Sequence, residues 1–330
     1  MTRIAVFGAG AIGCWVGGRL SSGGSDITLI GRPRVMSELA SGLRTSELHG
    51  TTRTATPTLA TDAAAAANAD LVLVTVKSAA TEEAARELAP HLKSSAVIVS
   101  LQNGVRNVRV LKDALPDHRV LAGMVPFNVI RPRPGQYHRA SAGALMFEAH
   151  DAAAPLSEAC VRADLPFELR DDMPAVQWSK LVMNLNNAIN ALSGVPLARE
   201  LGDREFRRCL AAAQREAVSL IRAADQPLAR VTPLPTAWLP RLLTVPDGVF
   251  KLLAGKVVAI DPTARSSMWD DLEAKRPTEI DYISGEIVAL ADRLGAKAPV
   301  NARLVQLVRD AERGGKRDYT GTQLRDALGV

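Results

Sequence analysis

Thr2 to Gly13 reads TRIAVFGAGAIG, and the rest of the chain is organised around this stretch. Arg3 to Phe7 has the composition of a short buried strand, and Gly8-Ala9-Gly10-Ala11-Ile12-Gly13 fits G-x-G-x-x-G. In this fingerprint Gly8 permits a tight turn and Gly10 lets the backbone approach a pyrophosphate. Gly13 lets the next helix pack close to the strand, and the first amides of that helix point at the phosphates. A Gly-rich turn alone carries little weight. Here a strand precedes it, a helix over 11–22 follows, and Gly23-Gly24 leads into a second strand, Asp26 to Ile30. That order of elements predicts dinucleotide binding.

The chain has 330 residues, which suits two domains better than one core. It is 47% hydrophobic and 23% charged, ordinary for a soluble globular protein. No apolar run approaches the roughly 18 residues of a membrane span. The first residues form a strand and show no signal-peptide pattern, so a cytoplasmic location is expected. Cys14, Cys160 and Cys209 are widely spaced, and His49, His91, His118, His138 and His150 are scattered. Neither a metal site nor a disulfide framework is expected from such spacing. The net charge is +5, but basic and acidic residues are interleaved and only 4% of residues are aromatic. Nucleic-acid binding is therefore not expected, and a few cations aimed at an anionic cofactor and substrate account for the charge better.

The second strand ends in Ile30-Gly31-Arg32-Pro33-Arg34. An NAD-preferring fold places Asp or Glu here for the ribose 2′-hydroxyl. This chain offers Arg32, with Arg34 nearby, which favours the 2′-phosphate of NADP. A helix from Pro33 ending at Gly42, a hairpin within 43–59, and a short Ala-rich helix capped by Asp62 follow. Asp70 to Val76 reads as a strand buried on both faces and delivers Lys77 at its carboxyl end, where open α/β sheets bind ligands. A helix over 81–88 and a strand over 96–101 deliver Asn103 at the equivalent place. Asn103-Gly104 fits equally well a turn that needs a positive φ. Strands over 119–130, 136–141 and 144–148, a helix over 154–163 and a strand over 166–169 complete the first half.

From Pro174 the pattern is helical, which predicts domains at 1–172 and 173–330. A long helix over 175–192 places Lys180 and Asn184 on one face. A helix over 203–224 follows. Residues 226–262, rich in proline and apolar side chains, read as an insertion serving as a lid or subunit contact. Another helix starts at Ser266-Ser267. Thr278, paired with Asp281 as a capping box, starts one that runs to Leu294. A last helix spans 301–313, with a loosely ordered tail from Gly314.

With these residues in view, the whole chain resembles the ketopantoate reductase family (2-dehydropantoate 2-reductase, NADP-dependent). The resemblance rests on GAGAIG at 8–13, TVKS around Lys77, LQNG around Asn103 and WSKLxxN from Trp178 to Asn184. It continues in SSMWDD from Ser266 and RPTEIDYISG from Arg276. It implies an α/β N-terminal Rossmann-like dinucleotide-binding domain and an all-helical C-terminal domain, with substrate in the cleft between them. It further implies Lys180 as general acid and Glu279 as its acidic neighbour. Asn184, Ser267 and Asn103 hold the substrate, while Lys77 and Asn103 lie at the nicotinamide and Arg32 at the 2′-phosphate. The activity implied is NADPH-dependent reduction of a small 2-oxo acid, ketopantoate, in pantothenate and coenzyme A synthesis, with a homodimer as an expected assembly. Two features depart from the family pattern: Ala188 stands where many members carry a second Asn, and 226–262 is longer. A different 2-oxo acid is the alternative substrate, and an NADP-binding sensor without turnover is the alternative class.

Overall fold

The computed structural model describes residues 2–48, 50–254 and 263–330. His49 in the expected hairpin and residues 255–262 of the proline-rich segment lie outside the described residues. The chain separates into two compact units, Met1–Met173 and Pro174–Val330.

The first unit is built outward from β1 (Arg3–Phe7). It continues through α1 (Ala11–Ser22), β2 (Asp26–Ile30), α2 (Pro33–Leu39), β3 (Leu43–Ser46), β4 (Thr52–Ala55), β5 (Thr58–Ala60) and β6 (Leu71–Val74). After these come α3 (Thr81–Leu88), β7 (Val97–Ser100), α4 (Asn107–Ala114), β8 (Arg119–Met124), β9 (Val129–Arg133) and β10 (Gln136–Arg139). The unit closes with β11 (Leu145–Glu148), α5 (Ala154–Arg162) and β12 (Phe167–Arg170). One sheet runs β12-β11-β8-β7-β6-β1-β2-β5. The six strands from β8 to the edge strand β5 in that order are parallel, β11 is antiparallel to β8, and β12 is parallel to β11.

Side chains alternate between two buried faces, as the pleat requires. Ile4 and Val6 join Trp15 and Leu20 of α1 on one face, while Ala5 and Phe7 join Leu88 of α3 and Leu111 of α4 on the other. The chain order reverses between β1 and β6, which makes that junction the topological switch point where such sheets bind ligands. Register keeps the carboxyl ends level, because Phe7 pairs with both Ile30 and Val74, and Val74 pairs with Ser100.

Three readings of the first half need correction. The hairpin expected over 43–59 forms between antiparallel β3 and β4 but ends at Ala55, in a second sheet, β4-β3-β10-β9, while β5 joins β2. Pro57 lies between β4 and β5, and a residue without an N–H cannot extend the ladder. The strand expected over 119–130 likewise divides around Pro126. Helix α4 was not anticipated, because only Leu111 and Asn107 of its residues are buried.

The second unit contains only helices among the described residues: α6 (Met173–Asn184), α7 (Asn186–Ser193), α8 (Leu197–Gly202), α9 (Arg204–Ala223), α10 (Leu239–Leu243), α11 (Asp247–Ala254), α12 (Ser267–Glu273), α13 (Ser284–Arg293), α14 (Pro299–Glu312) and α15 (Gly321–Leu328). The helix expected over 175–192 breaks at Leu185, although its amide still reaches the Leu181 carbonyl at 3.1 Å. Asn184, Asn186, Asn187 and Asn190 crowd this region, and asparagine favours turns over helix interiors. The Thr278–Asp281 capping box does not form. Thr278 Oγ1 accepts the Ile280 amide at 3.3 Å, Asp281 pairs with Arg309 at 2.8 Å, and a 3-10 turn (Ile280–Tyr282) precedes α13. The tail is ordered as α15, with a complete capping box between Thr320 and Gln323.

The described part of the 226–262 segment is tied to its own unit. Ser179 and Thr236 hydroxyls both donate to the Ala229 carbonyl at 2.9 Å. Buried Arg207 donates to Leu243 and Val245 carbonyls and pairs with Asp247 at 2.6 Å. No helix of the described residues is long and apolar enough to cross a membrane.

Candidate functional site

Each unit carries its own set of candidate residues. In the first, they cluster at the carboxyl edge of the sheet. Gly8 adopts φ +116°, and a Cβ there would lie 2.6 Å from the Val76 amide nitrogen. A Cβ on Gly13 would lie 2.2 Å from the Gly8 carbonyl oxygen and 2.5 Å from Thr75 Oγ1, which itself donates to that carbonyl at 2.7 Å. Both glycines are therefore demanded by the packing of the strand against α1. Gly10 is different: its φ is −81° and a Cβ would meet nothing within 4 Å. The protein's own packing gives no reason for glycine there, whereas a pyrophosphate lying against the backbone would. Gly10 caps α1 without a side-chain hydrogen bond, and the first turn contains no acid. The amides of Ala11, Ile12 and Gly13 have no intrahelical acceptor, which suits them to phosphate oxygens. Ala9 completes the turn, and its Cβ would lie 2.5 Å from one on Gly31.

Gly31 leads to Arg32, exposed at the N-cap of α2 and two residues past the paired end of β2. Arg34 is engaged by Glu38 at 2.7 Å, and Glu38 also holds Arg131 at 2.6 Å. The Glu38 pairing of Arg34 accords with the sequence preference for Arg32.

Lys77 and Asn103 each lie three residues past the Val74–Ser100 pair, at equivalent strand ends. A buried polar network ties the Asn103 carbonyl to Ser78, the residue after Lys77, and the sequence reading missed it. Asn107 Nδ2 donates to the Asn103 carbonyl at 2.5 Å and to Ser78 Oγ at 3.0 Å. Ser78 Oγ in turn donates to the Asn103 carbonyl at 3.1 Å. Thr81 Oγ1 donates to Asn107 Oδ1 at 3.0 Å and accepts from Gln102 Nε2 at 2.8 Å, while Ser100 Oγ donates to Gln102 Oε1 at 3.0 Å. Satisfied buried networks of this kind fix one geometry. Lys77 is exposed and Asn103 half-buried. The available signal was the run of small polar residues at both strand ends, Ser78, Thr81, Ser100, Gln102 and Asn107.

In the second unit, Lys180 and Asn184 stand one turn apart on α6, both half-buried. Burial pushes the Lys180 ammonium down from 10.5 to about 8. A lysine in such surroundings gives up its proton far more readily near neutral pH than one in water. Of the serine pair, Ser266 is buried and structural. Its Oγ accepts the Trp269 amide and donates to the Asn187 carbonyl, both at 3.2 Å. Ser267, next in the chain, is exposed at the first position of α12. Glu279 is buried, 8% accessible, at the N-cap of the 3-10 turn before α13. The three thiols are buried, and burial pushes Cys14 up to about 11 and Cys160 and Cys209 to about 12, so none serves as a nucleophile at neutral pH.

A glycine turn at the switch point of a parallel sheet, with a helical unit after it, is the arrangement of dinucleotide-dependent oxidoreductases. The family follows from comparison. Residues 4–152 match the family model described as ketopantoate reductase PanE/ApbA, and residues 172–312 match the model of its C-terminal domain. The 2-dehydropantoate 2-reductase of Halobacterium salinarum is 31% identical over 95% of this chain and all of the relative. That of Archaeoglobus fulgidus is 28% identical over 94% of this chain and 98% of the relative. The crystal structure of a PanE/ApbA family ketopantoate reductase from Ralstonia eutropha superposes with a TM-score of 0.81 at 30% identity, covering 95% of this chain and 99% of that one. This chain belongs to the ketopantoate reductase family.

Proposed function

We propose that this chain reduces 2-dehydropantoate to pantoate with NADPH, supplying the pantothenate and coenzyme A route. Relatives named 2-dehydropantoate 2-reductase that match nearly the whole chain support the substrate. The observation that carries the chemistry is Lys180, an amine whose burial brings it to about 8. Residues 1–172 form the cofactor domain in this reading, and 173–330 the substrate domain. Gly8 to Gly13 hold the pyrophosphate, Arg32 the 2′-phosphate, and Lys77 and Asn103 the nicotinamide end. When bound, the reduced nicotinamide supplies a hydride to the 2-oxo carbon. Lys180 Nζ donates its proton to the oxygen as negative charge develops there, and is reprotonated from solvent. Glu279 orients that ammonium, while Asn184, Ser267 and Asn103 hold the polar groups of the substrate.

NADPH oxidation measured with a panel of 2-oxo acids tests the reading. The expected result is the highest kcat/KM for 2-dehydropantoate. A higher value for another 2-oxo acid would replace the substrate and keep the reaction. NADPH binding without turnover of any acid would replace the enzyme by an NADP sensor.

A further inference from the structure

Helices α7 and α8 of the second unit meet at one buried carboxyl. Glu200 of α8 is 1% accessible. Asn190 Nδ2 donates to its Oε2 at 2.7 Å and Ser193 Oγ at 3.3 Å, and the Asn186 side chain lies within hydrogen-bonding reach of the carboxyl. Asn190 passes the contact on, because its Oδ1 accepts the Ser266 amide at 2.8 Å. Ser266 is also fastened to the Asn187 carbonyl and caps α12. Glu200 is thus two hydrogen bonds from the residue that precedes Ser267.

The atoms left over in this network are informative. Glu200 Oε1 and Asn186 Oδ1 are both buried acceptors that receive no hydrogen bond. Two acceptors cannot satisfy each other, but a proton on the carboxyl turns one of them into a donor. Rotating the Asn186 amide would instead serve an ionised carboxylate. That alternative leaves a buried anion whose partners, Asn186, Asn190 and Ser193, are all uncharged, an arrangement of high desolvation cost. The charged and titratable groups on neighbouring elements do not relieve it. Cys209 of α9 is a neutral thiol, Arg207 is engaged by Asp247, Glu205 is paired with Arg325, and Arg199 of α8 is exposed. Burial alone pushes the Glu200 carboxyl up to about 8 against the pull of its hydrogen bonds.

We infer that Glu200 is a positioning residue for the substrate site: its carboxyl, held as the neutral acid, donates to Asn186 and orients Asn190, which fixes the Ser266 amide and so places Ser267. The inference rests on the reading of Ser267 as a substrate contact. Glu200→Gln and Glu200→Ala in the full-length protein separate the outcomes. Glutamine keeps the shape, the lack of charge and a donor for Asn186, so KM for 2-dehydropantoate should stay within about twofold of the parent. Alanine leaves Asn190 Nδ2 only the Val195 carbonyl at 3.0 Å, loosening Asn190, and should raise KM about tenfold with NADPH affinity unchanged, the scale of one lost hydrogen bond. Two readouts do not depend on turnover. The parent protein at pH 7 should show the infrared C=O stretch of a protonated carboxyl that Glu200→Gln removes. The Ser266 amide should exchange faster in Glu200→Ala and at the parent rate in Glu200→Gln. Equal loss in both variants, no protonated-carboxyl band, or unchanged Ser266 exchange in the alanine variant would overturn the inference. Failure of the parent to reduce 2-dehydropantoate would instead refute the substrate reading and leave the band and the exchange rates to decide on Glu200.

Discussion

Replacing Lys180 by methionine should stabilise the fold and abolish most of the activity. The folded protein holds this ammonium where its pKa falls from 10.5 to about 8, which corresponds to about 3 kcal/mol of unfavourable free energy at neutral pH. Methionine matches the length of the lysine stem and carries no charge, so Lys180→Met removes that cost. The sign follows from proton binding. Below pH 8 the folded and unfolded states both carry the proton, and the penalty is complete. Between 8 and 10.5 the folded lysine releases its proton first, so the parent gains stability with rising pH. Above 10.5 the lysine is neutral in both states and the penalty is gone. The variant should therefore be more stable by up to about 3 kcal/mol at pH 7, with the gap closing across that window. Urea unfolding read through fluorescence of Trp178, buried two residues away on the same helix, measures it. In the same variant kcat should fall about 10²–10⁴-fold, and in the parent kcat/KM should decline as pH passes above about 8. A pH-independent stability difference, or a methionine enzyme with near-parent kcat, would refute the assignment of Lys180 as a desolvated acid.

The same reasoning gives further expectations. NADPH should bind more tightly than NADH, and Arg32→Ala should remove most of a gap of about tenfold to a hundredfold, the scale of a charge-assisted hydrogen bond; equal affinities in the parent would refute it. Gly10→Ala should leave Tm unchanged, because the added Cβ meets nothing, yet weaken NADPH in a titration, whereas Gly13→Ala should lower Tm through its 2.2 Å clash with the Gly8 carbonyl. Asn107→Leu removes both donors that Asn107 Nδ2 offers to the Asn103 carbonyl and Ser78, and should cost about 1–3 kcal/mol in urea unfolding together with a drop in kcat/KM. Parent-like kcat/KM in that variant would show that the network does not set the position of Asn103.

Much of the fold was legible because its determinants are local. Short, continuous apolar runs gave β1, β2, β6 and β7, and glycine punctuation gave the bounds of α1. Counting from the apolar strand ends placed Lys77 and Asn103 at equivalent positions, since parallel register here holds the strands level. What escaped the sequence was decided by partners far away in the chain. Helix α4 is covered through two side chains, Asn190 of α7 bonds to Glu200 and to the Ser266 amide, and α15 is held to α9 by the Arg325–Glu205 pair inside an otherwise polar tail.

The site residues divide along the same line. Gly8 and Gly13 can be argued from strand–helix packing alone, because any side chain there collides with backbone. Gly10 cannot, and what supports its place at a pyrophosphate is its position as the cap of α1 within the G-x-G-x-x-G turn. Lys180 is the converse case. A lysine on an amphipathic helix is indistinguishable in sequence from a solvated one, and only the fold, by burying it, turns it into a group that exchanges a proton near neutral pH. A surface lysine would hold its proton to about 10.4 and donate it reluctantly, however well it were placed. The desolvation that weakens the fold at Lys180 is therefore the same feature that suits this amine to protonate an alkoxide, and a variant that gains stability without losing turnover would break that link.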